Sequence, residues 1–268
     1  MNTRPSLVAL TLERARLENV EFVRSRDQMI FIFSFPIIFM VLFGAIFGGQ
    51  ELAFGVTFPQ YLLAGLIASG ILNTGFQSLG IAIAIDRDNG VLKRLRGTPL
   101  PPAAYFGGKV LHVLFVSAVQ VALLIAMGVA FYGVSLPTGL DPWLTFAWVF
   151  LLGVTGSTLL GIAVSSLPSS GRAASAIITP MVLYLQFTSG VFFVFTQLPG
   201  FLQTVAEFFP LKWLAQGMRS VFLPEDFAQA EARMSYELTT GALVLAAWVV
   251  VGFILALVTF RWQKRGDS

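Results

Sequence analysis

The sequence predicts an all-α integral membrane protein with six transmembrane helices and an N-terminal interfacial amphipathic helix, and three observations carry that prediction. Six stretches, at residues 29–49, 59–85, 110–131, 143–166, 173–195 and 241–260, contain no Lys, Arg, Asp or Glu. Each reaches the roughly 20 residues that a helix needs to cross about 30 Å of hydrocarbon. The chain is 56% hydrophobic and 12% charged, with a mean hydropathy of +0.79, against roughly a quarter charged in a soluble domain. The basic residues also alternate from loop to loop. Of 17 Lys and Arg, 14 are Arg4, Arg14, Arg16, Arg24, Arg26, Arg87, Lys93, Arg94, Arg96, Lys109, Arg172, Arg261, Lys264 and Arg265, all on one side of the predicted spans. Only Lys212, Arg219 and Arg233 fall on the other. By the positive-inside rule, both termini and the loop around residue 90 are cytoplasmic.

Residues 1–28 come first. Val8, Leu12, Ala15, Phe22 and Val23 fall within about a third of the helical circumference, with Glu13, Arg14, Glu18, Glu21 and Arg24 mostly elsewhere. Leu10 and Leu17 interrupt the face. The pattern predicts a helix in the inner headgroup layer, with a solvated N-terminal helix as the alternative. No cleavable signal peptide is expected, because these residues are charged throughout and the first apolar run is too long.

Within the spans the titratable side chains are His112, Tyr61 and Tyr184, with Tyr132 at an edge. Carriers driven by protons or ions place carboxylates or basic groups at mid-membrane; the spans hold none, so the driving energy is expected from elsewhere. Ser69, Asn73 and Gln77 repeat every four residues and form one stripe. Thr179 and Gln186 share a face of the fifth span, as do Tyr184 and Thr188. Ser69, Asn73, Gln77, Tyr184, Gln186 and Thr188 are the candidates for a translocation path of neutral hydrogen-bonding groups. The alternative is ordinary interhelical hydrogen bonding, worth about 0.6–2 kcal/mol each. Gly65, Ser69, Gly153, Ser157 and Gly161 are packing positions, and Pro36 and Pro180 are expected to kink their helices.

The loop Asp86-Arg-Asp-Asn-Gly-Val-Leu-Lys-Arg-Leu-Arg-Gly-Thr-Pro-Leu-Pro-Pro102 opens acidic and closes basic, as a helix dipole favours, and Gly97 with Pro99 supplies a stop. Val91, Leu92 and Leu95 make one apolar edge, which predicts a short helix whose edge needs a partner surface or the lipid interface. Leu167-Pro-Ser-Ser-Gly-Arg172 reads as a hinge between spans. After the fifth span, residues 198–222 hold two apolar-biased pieces divided by Pro210, each too short to cross the bilayer. Lys212 and Arg219 argue against deep burial of their faces and are expected to snorkel outward. Residues 224–236 read as a hydrated connection.

Several functions are excluded. No Cys and one His leave no thiolate chemistry and no expected metal site. The net charge of +3 sits at span ends, which suits lipid headgroups rather than nucleic acid. Phe47-Gly-Gly-Gln50 ends a span, and Gly107-Gly-Lys109 is followed by Val110; neither is a phosphate loop. No catalytic constellation is visible.

Two motifs resemble a known family. Asp88-Asn-Gly-Val-Leu-Lys-Arg-Leu-Arg-Gly-Thr-Pro-Leu100, followed by Tyr105-Phe-Gly-Gly-Lys109, is similar to the coupling segment of ABC-2 type transporter permeases. Gly190-Val-Phe-Phe-Val-Phe-Thr-Gln-Leu-Pro199 and Phe209-Pro-Leu-Lys-Trp-Leu-Ala-Gln-Gly-Met-Arg219 resemble the segment after the family's fifth span, although Val194 stands where many relatives carry Pro. The resemblance extends over nearly the whole chain. It implies one six-helix transmembrane domain over 29–268, with a coupling helix at about 86–98 and an outer re-entrant helical pair at about 196–222. It assigns Asp88, Gly90, Val91, Leu92, Arg94, Leu95, Thr98 and Pro99 to docking of an ATP-binding subunit, and Leu198, Pro199, Pro210 and Leu211 to an outer gate. It also implies two permeases, identical or paralogous, with two ATPases that bind ATP and Mg in place of this chain, in a bacterial plasma membrane. Export of an amphiphilic drug, antibiotic or natural product is the expected activity, with a lipid-linked polysaccharide as the alternative cargo. A membrane scaffold or assembly factor, and a self-powered carrier or channel, are the readings from other classes.

Overall fold

The computed structural model describes residues 6–260; Arg4, Arg261, Lys264 and Arg265, counted above in the basic side, lie outside them. The described residues form eleven α-helices joined by short turns, with one isolated bridge between Glu51 and Thr57. α1 (Leu7–Arg24) is capped by Ser6, whose Oγ accepts from the Ala9 N–H at 3.2 Å, satisfying one of the four orphan donors of a helix start. It lies along α6 (Pro102–Tyr132) and buries Ala15, Glu18 and Phe22. Val8, Leu12 and Val23, the rest of its apolar face, stay exposed.

The centre of the bundle is a 31-residue run, Phe58–Asp88. It comprises α3 (Phe58–Leu72), a π-helical turn (Asn73–Ser78) and α4 (Leu79–Asp88). α7 (Leu140–Val164) packs directly on the π turn. Two glycines permit that approach, since a Cβ on Gly161 would collide with the carbonyl oxygen of Gly75. α2 (Arg26–Phe47), α6, α8 (Gly171–Thr188) and α10 (Pro210–Phe222) surround this centre, and α11 (Leu238–Thr259) packs outside it against α7 and α10.

Among the described residues, five runs are long and apolar enough to cross a membrane: α2, α3 to α4, α6, α7 and α11. The remaining predicted span, 173–195, is realised as α8, whose 18 residues extend about 27 Å. It stops because Gly190 adopts φ 73°, a left-handed turn that favours glycine. The chain then folds back, burying Val191, Phe192 and Phe195.

The structure corrects two expectations about charge. The first is that Lys212 and Arg219 snorkel: both are 0% exposed. α9 (Gly200–Glu207) and α10 form a short helical pair, and α10's 13 residues span only about 20 Å. Arg219 meets Glu231 through Nε–Oε1 at 2.5 Å and Nη2–Oε2 at 3.2 Å, its guanidinium 5.0 Å over the Tyr61 ring. Burial opposes the charge, but Glu231 outweighs it and holds the Arg219 proton more tightly than usual. Residues 224–236 are accordingly not all hydrated, because Phe227 and Glu231 are buried. The Lys212 amine lies 3.4 Å over the Trp213 ring, and burial lowers its pKa to about 8 although Glu237 and Glu207 oppose the shift.

The second correction concerns the interior, which carries charge at its basic end. Lys109 is 2% exposed and pairs with Glu18 at 2.6 Å. An apolar span count could not show this, because Glu18 arrives from α1, outside the spans. The opposite-end pair yields a first prediction. Glu231→Leu leaves the buried Arg219 unpaired and lowers stability by about 3–5 kcal/mol, read by thermal unfolding in detergent. Adding Arg219→Met restores most of the loss.

Candidate functional site

The site is built at the basic end and extends upward between α3 to α4 and α8. α4 ends at Asp88, and Gly90 at φ 73° turns the chain into α5 (Val91–Arg96). The apolar edge of α5 does not face outward as the sequence suggested. Leu92 is 0% exposed and Leu95 packs against the same core. A six-residue helix cannot stand alone, and its own bundle supplies the cover. The outward face consists of Lys93, Arg94 and Arg96, continuing into exposed Gly97, Thr98 and Pro99. Thr98 Oγ1 donates to the Leu95 carbonyl at 2.6 Å and closes the helix.

Two residues tie this element to the next loop. Arg87 donates to the Ser165 carbonyl at 2.5 Å and to Ser165 Oγ at 3.1 Å, taking up an acceptor at the end of α7. Asp88 Oδ2 accepts the Gly171 N–H at 3.1 Å, where a carboxylate complements the dipole of α8. Asp88 therefore turns inward, and the end of α4, from which α5 leaves, is tied to the connection between α7 and α8. Sequence reasoning used Arg87 only as a topological charge; its place beside Asp88 at a span end was the available signal.

At the same end a pocket of about 220 Å³ is lined by Glu18, Glu21, Asp86, Lys109 and His112, among others. Burial raises the Glu18 pKa, but Lys109 and Arg14 outweigh it and hold the carboxyl below its ordinary value. His112 Nδ1 lies 2.7 Å from Asn19 Oδ1.

Higher in the bundle, the α3 stripe meets α8. Gln186 Nε2 donates to Ser69 Oγ at 2.7 Å and to Asn73 Oδ1 at 2.9 Å, and Gln77 Nε2 donates to Thr179 Oγ1 at 3.1 Å. Asn73, Gln77, Thr179 and Gln186, but not Ser69, line a pocket of about 250 Å³ whose remaining wall includes Phe31, Phe35 and Pro36. The buried Gln186 Oε1 has no hydrogen-bond partner among the described residues. Tyr184 and Thr188 do not join them: Tyr184 is 47% exposed on another face, and Thr188 donates its hydroxyl to the Tyr184 carbonyl at 2.9 Å.

Gln120 of α6 was missed in the sequence. Pro36 has no N–H, so the Ile32 carbonyl one turn earlier loses its helical donor. Gln120 Nε2 replaces it at 2.9 Å, while Gln120 Oε1 accepts from Thr74 Oγ1 at 3.4 Å. A lone Gln in an apolar span and a Pro in its neighbour were the two signals. At the opposite end, Pro199 precedes α9 and Pro210 opens α10, both positions where the missing N–H costs nothing. Leu211 is fully buried, and the Leu198 carbonyl accepts from Gln203 Nε2 at 2.7 Å.

Fold and site together define a multi-pass, all-α membrane protein with a polar pocket between its spans and a tethered surface helix at one end. The chain belongs to the ABC-2 type transporter family, whose profile matches residues 14–223. It is similar to a putative transport permease, ycf38, of Porphyra purpurea, at 26% identity over 217 residues, 78% of this chain and 73% of the relative. It is also similar to the inner membrane transport permease YadH of Escherichia coli K12, at 24% identity over 237 residues, 85% of this chain and 84% of the relative. Homologues named as transport permeases agree with a non-enzymatic transport subunit.

The geometry predicts distinct outcomes for the polar candidates. Gln186→Leu and Gln77→Leu lower thermal stability by about 0.6–2 kcal/mol for each hydrogen bond lost. Tyr184→Phe leaves the unfolding midpoint unchanged.

Proposed function

We propose that this chain is the permease subunit of an ATP-driven exporter, working as two permeases with two separate ATPase subunits that bind ATP and Mg. The family match over most of the chain carries this reading. In it, the basic end is cytoplasmic, α5 is the coupling helix, and the α9–α10 pair is re-entrant and closes the exit near Leu198, Pro199, Pro210 and Leu211.

The docking surface in this reading is the outward face of α5 and the turn after it, including Arg94, Arg96, Thr98 and Pro99, with Leu92 and Leu95 as its foundation. Arg87 and Asp88 would carry a displacement of α5 to the α7–α8 hinge, and so to the pocket between Asn73, Gln77 and Gln186. That pocket combines neutral hydrogen-bonding groups with phenylalanine, which suits an amphiphilic cargo rather than an ion.

The test uses two kinds of substitution. Arg94→Glu with Arg96→Glu alters only exposed side chains, so the permease inserts and melts as the wild type but no longer co-purifies with its ATPase. Leu92→Asp instead lowers permease stability itself. An ATPase that stays bound and fully stimulated on the double charge reversal contradicts the docking assignment.

A further inference from the structure

α6 covers only half of the apolar face of α1. The other half borders an open groove of about 600 Å³ between α1 and α6, whose walls include Leu12, Val20, Leu111 and Phe115, with Arg16 and Arg24 at the rim. Leu12, Val20 and Phe115 are exposed, so the groove has no cover among the described residues. Leu111 and Phe115 stand in the first turns of the apolar stretch 110–131, so the groove lies where headgroups give way to acyl chains, on the reading that α1 rests at the inner membrane surface.

We propose that this groove is a binding site for one anionic glycerophospholipid, an acyl chain lying along Leu111 and Phe115 and the phosphate held between Arg16 and Arg24. The charges are placed for it. Arg24 makes no ion pair among the described residues, and Arg16 has only an exposed pairing with Glu13 at 3.2 Å, a kind worth little in water. The two arginines are eight positions apart, about 12 Å along the helix, so their long side chains flank one headgroup from either side. A symmetric contact between two copies through this groove would set like charges against each other, and a soluble acidic segment would leave the apolar floor unfilled.

The test is lipid retention by the purified full-length permease, measured by native mass spectrometry and by titration with phosphatidylglycerol or phosphatidylcholine of matched chains. Wild type is expected to hold one phosphatidylglycerol per chain at least about tenfold more tightly than phosphatidylcholine. Arg16→Gln with Arg24→Gln weakens it roughly thirtyfold, at the strength typical of two basic contacts to an anionic surface. Val20→Trp, which fills the groove and keeps both charges, abolishes retention; Leu12→Trp replaces it if that variant does not fold. Equal retention of the two lipids, retention by the double Gln variant, or retention by the groove-filled variant each overturns the proposal. The last result would signify surface adsorption without a site. Because the assay contains no ATPase, failure here leaves the docking reading untouched, and loss of ATPase pairing leaves this one untouched.

Discussion

Inside a bilayer there is no water to satisfy a backbone or side-chain polar group, and this one constraint organises the bundle. Pro36 shows it at its simplest. Its ring removes a hydrogen bond from α2, and the freed Ile32 carbonyl is answered by a side chain of α6. The same demand gathers Ser69, Asn73 and Gln77 against Gln186 and Thr179. It also directs the Trp213 and Trp248 indoles, each at 2.7 Å, onto the carbonyls of Glu207 and Phe208 that end α9. Apolar packing sets how closely helices approach, as Gly75 and Gly161 do; polar satisfaction sets which helices are neighbours.

Charge obeys the same rule at the two ends. Glu18 receives Arg14 and Lys109 at one end, and Arg219 receives Glu231 at the other. A buried pair of this kind is weak evidence of net stability but costly to break, so each acts as a pin rather than an adhesive. One pins α1 to α6 and the other pins α10 to the connection before α11. At the basic end, the end of α4 that leads into α5 is joined through Arg87 and Asp88 to the end of α7 and the start of α8. In the proposed reading, this is where movement enters the bundle.

Much of this was legible in the sequence because hydropathy and helical period are local properties. The uncharged stretches mark five of the long helical runs, and the four-residue spacing of Ser69, Asn73 and Gln77 places them on one face, where the structure has them. Other features depend on partners that local pattern does not reveal. Arg219 looked like a snorkelling residue because its partner lies twelve residues on, across a turn. The edge of Leu92 looked exposed because the core that covers it comes from distant helices. The fifth stretch was read as continuing to residue 195 because hydropathy does not register the left-handed turn at Gly190, after which the chain folds back. The pathway candidates came from the spacing of polar residues in the spans, whereas the docking assignment came from resemblance, because nothing in the pattern of residues 86–102 says which surface meets that helix.

The constraint can be measured where it is sharpest. Gln120→Leu, Pro36→Ala and their combination form a double-mutant cycle read by thermal unfolding in a lipid bilayer. With Pro36 in place, losing Gln120 orphans the Ile32 carbonyl and costs about 1–3 kcal/mol. In the Pro36→Ala background, where the backbone regains its N–H, the same loss costs markedly less, giving a clear coupling energy. Additive effects, with Gln120→Leu equally costly in both backgrounds, would contradict the account.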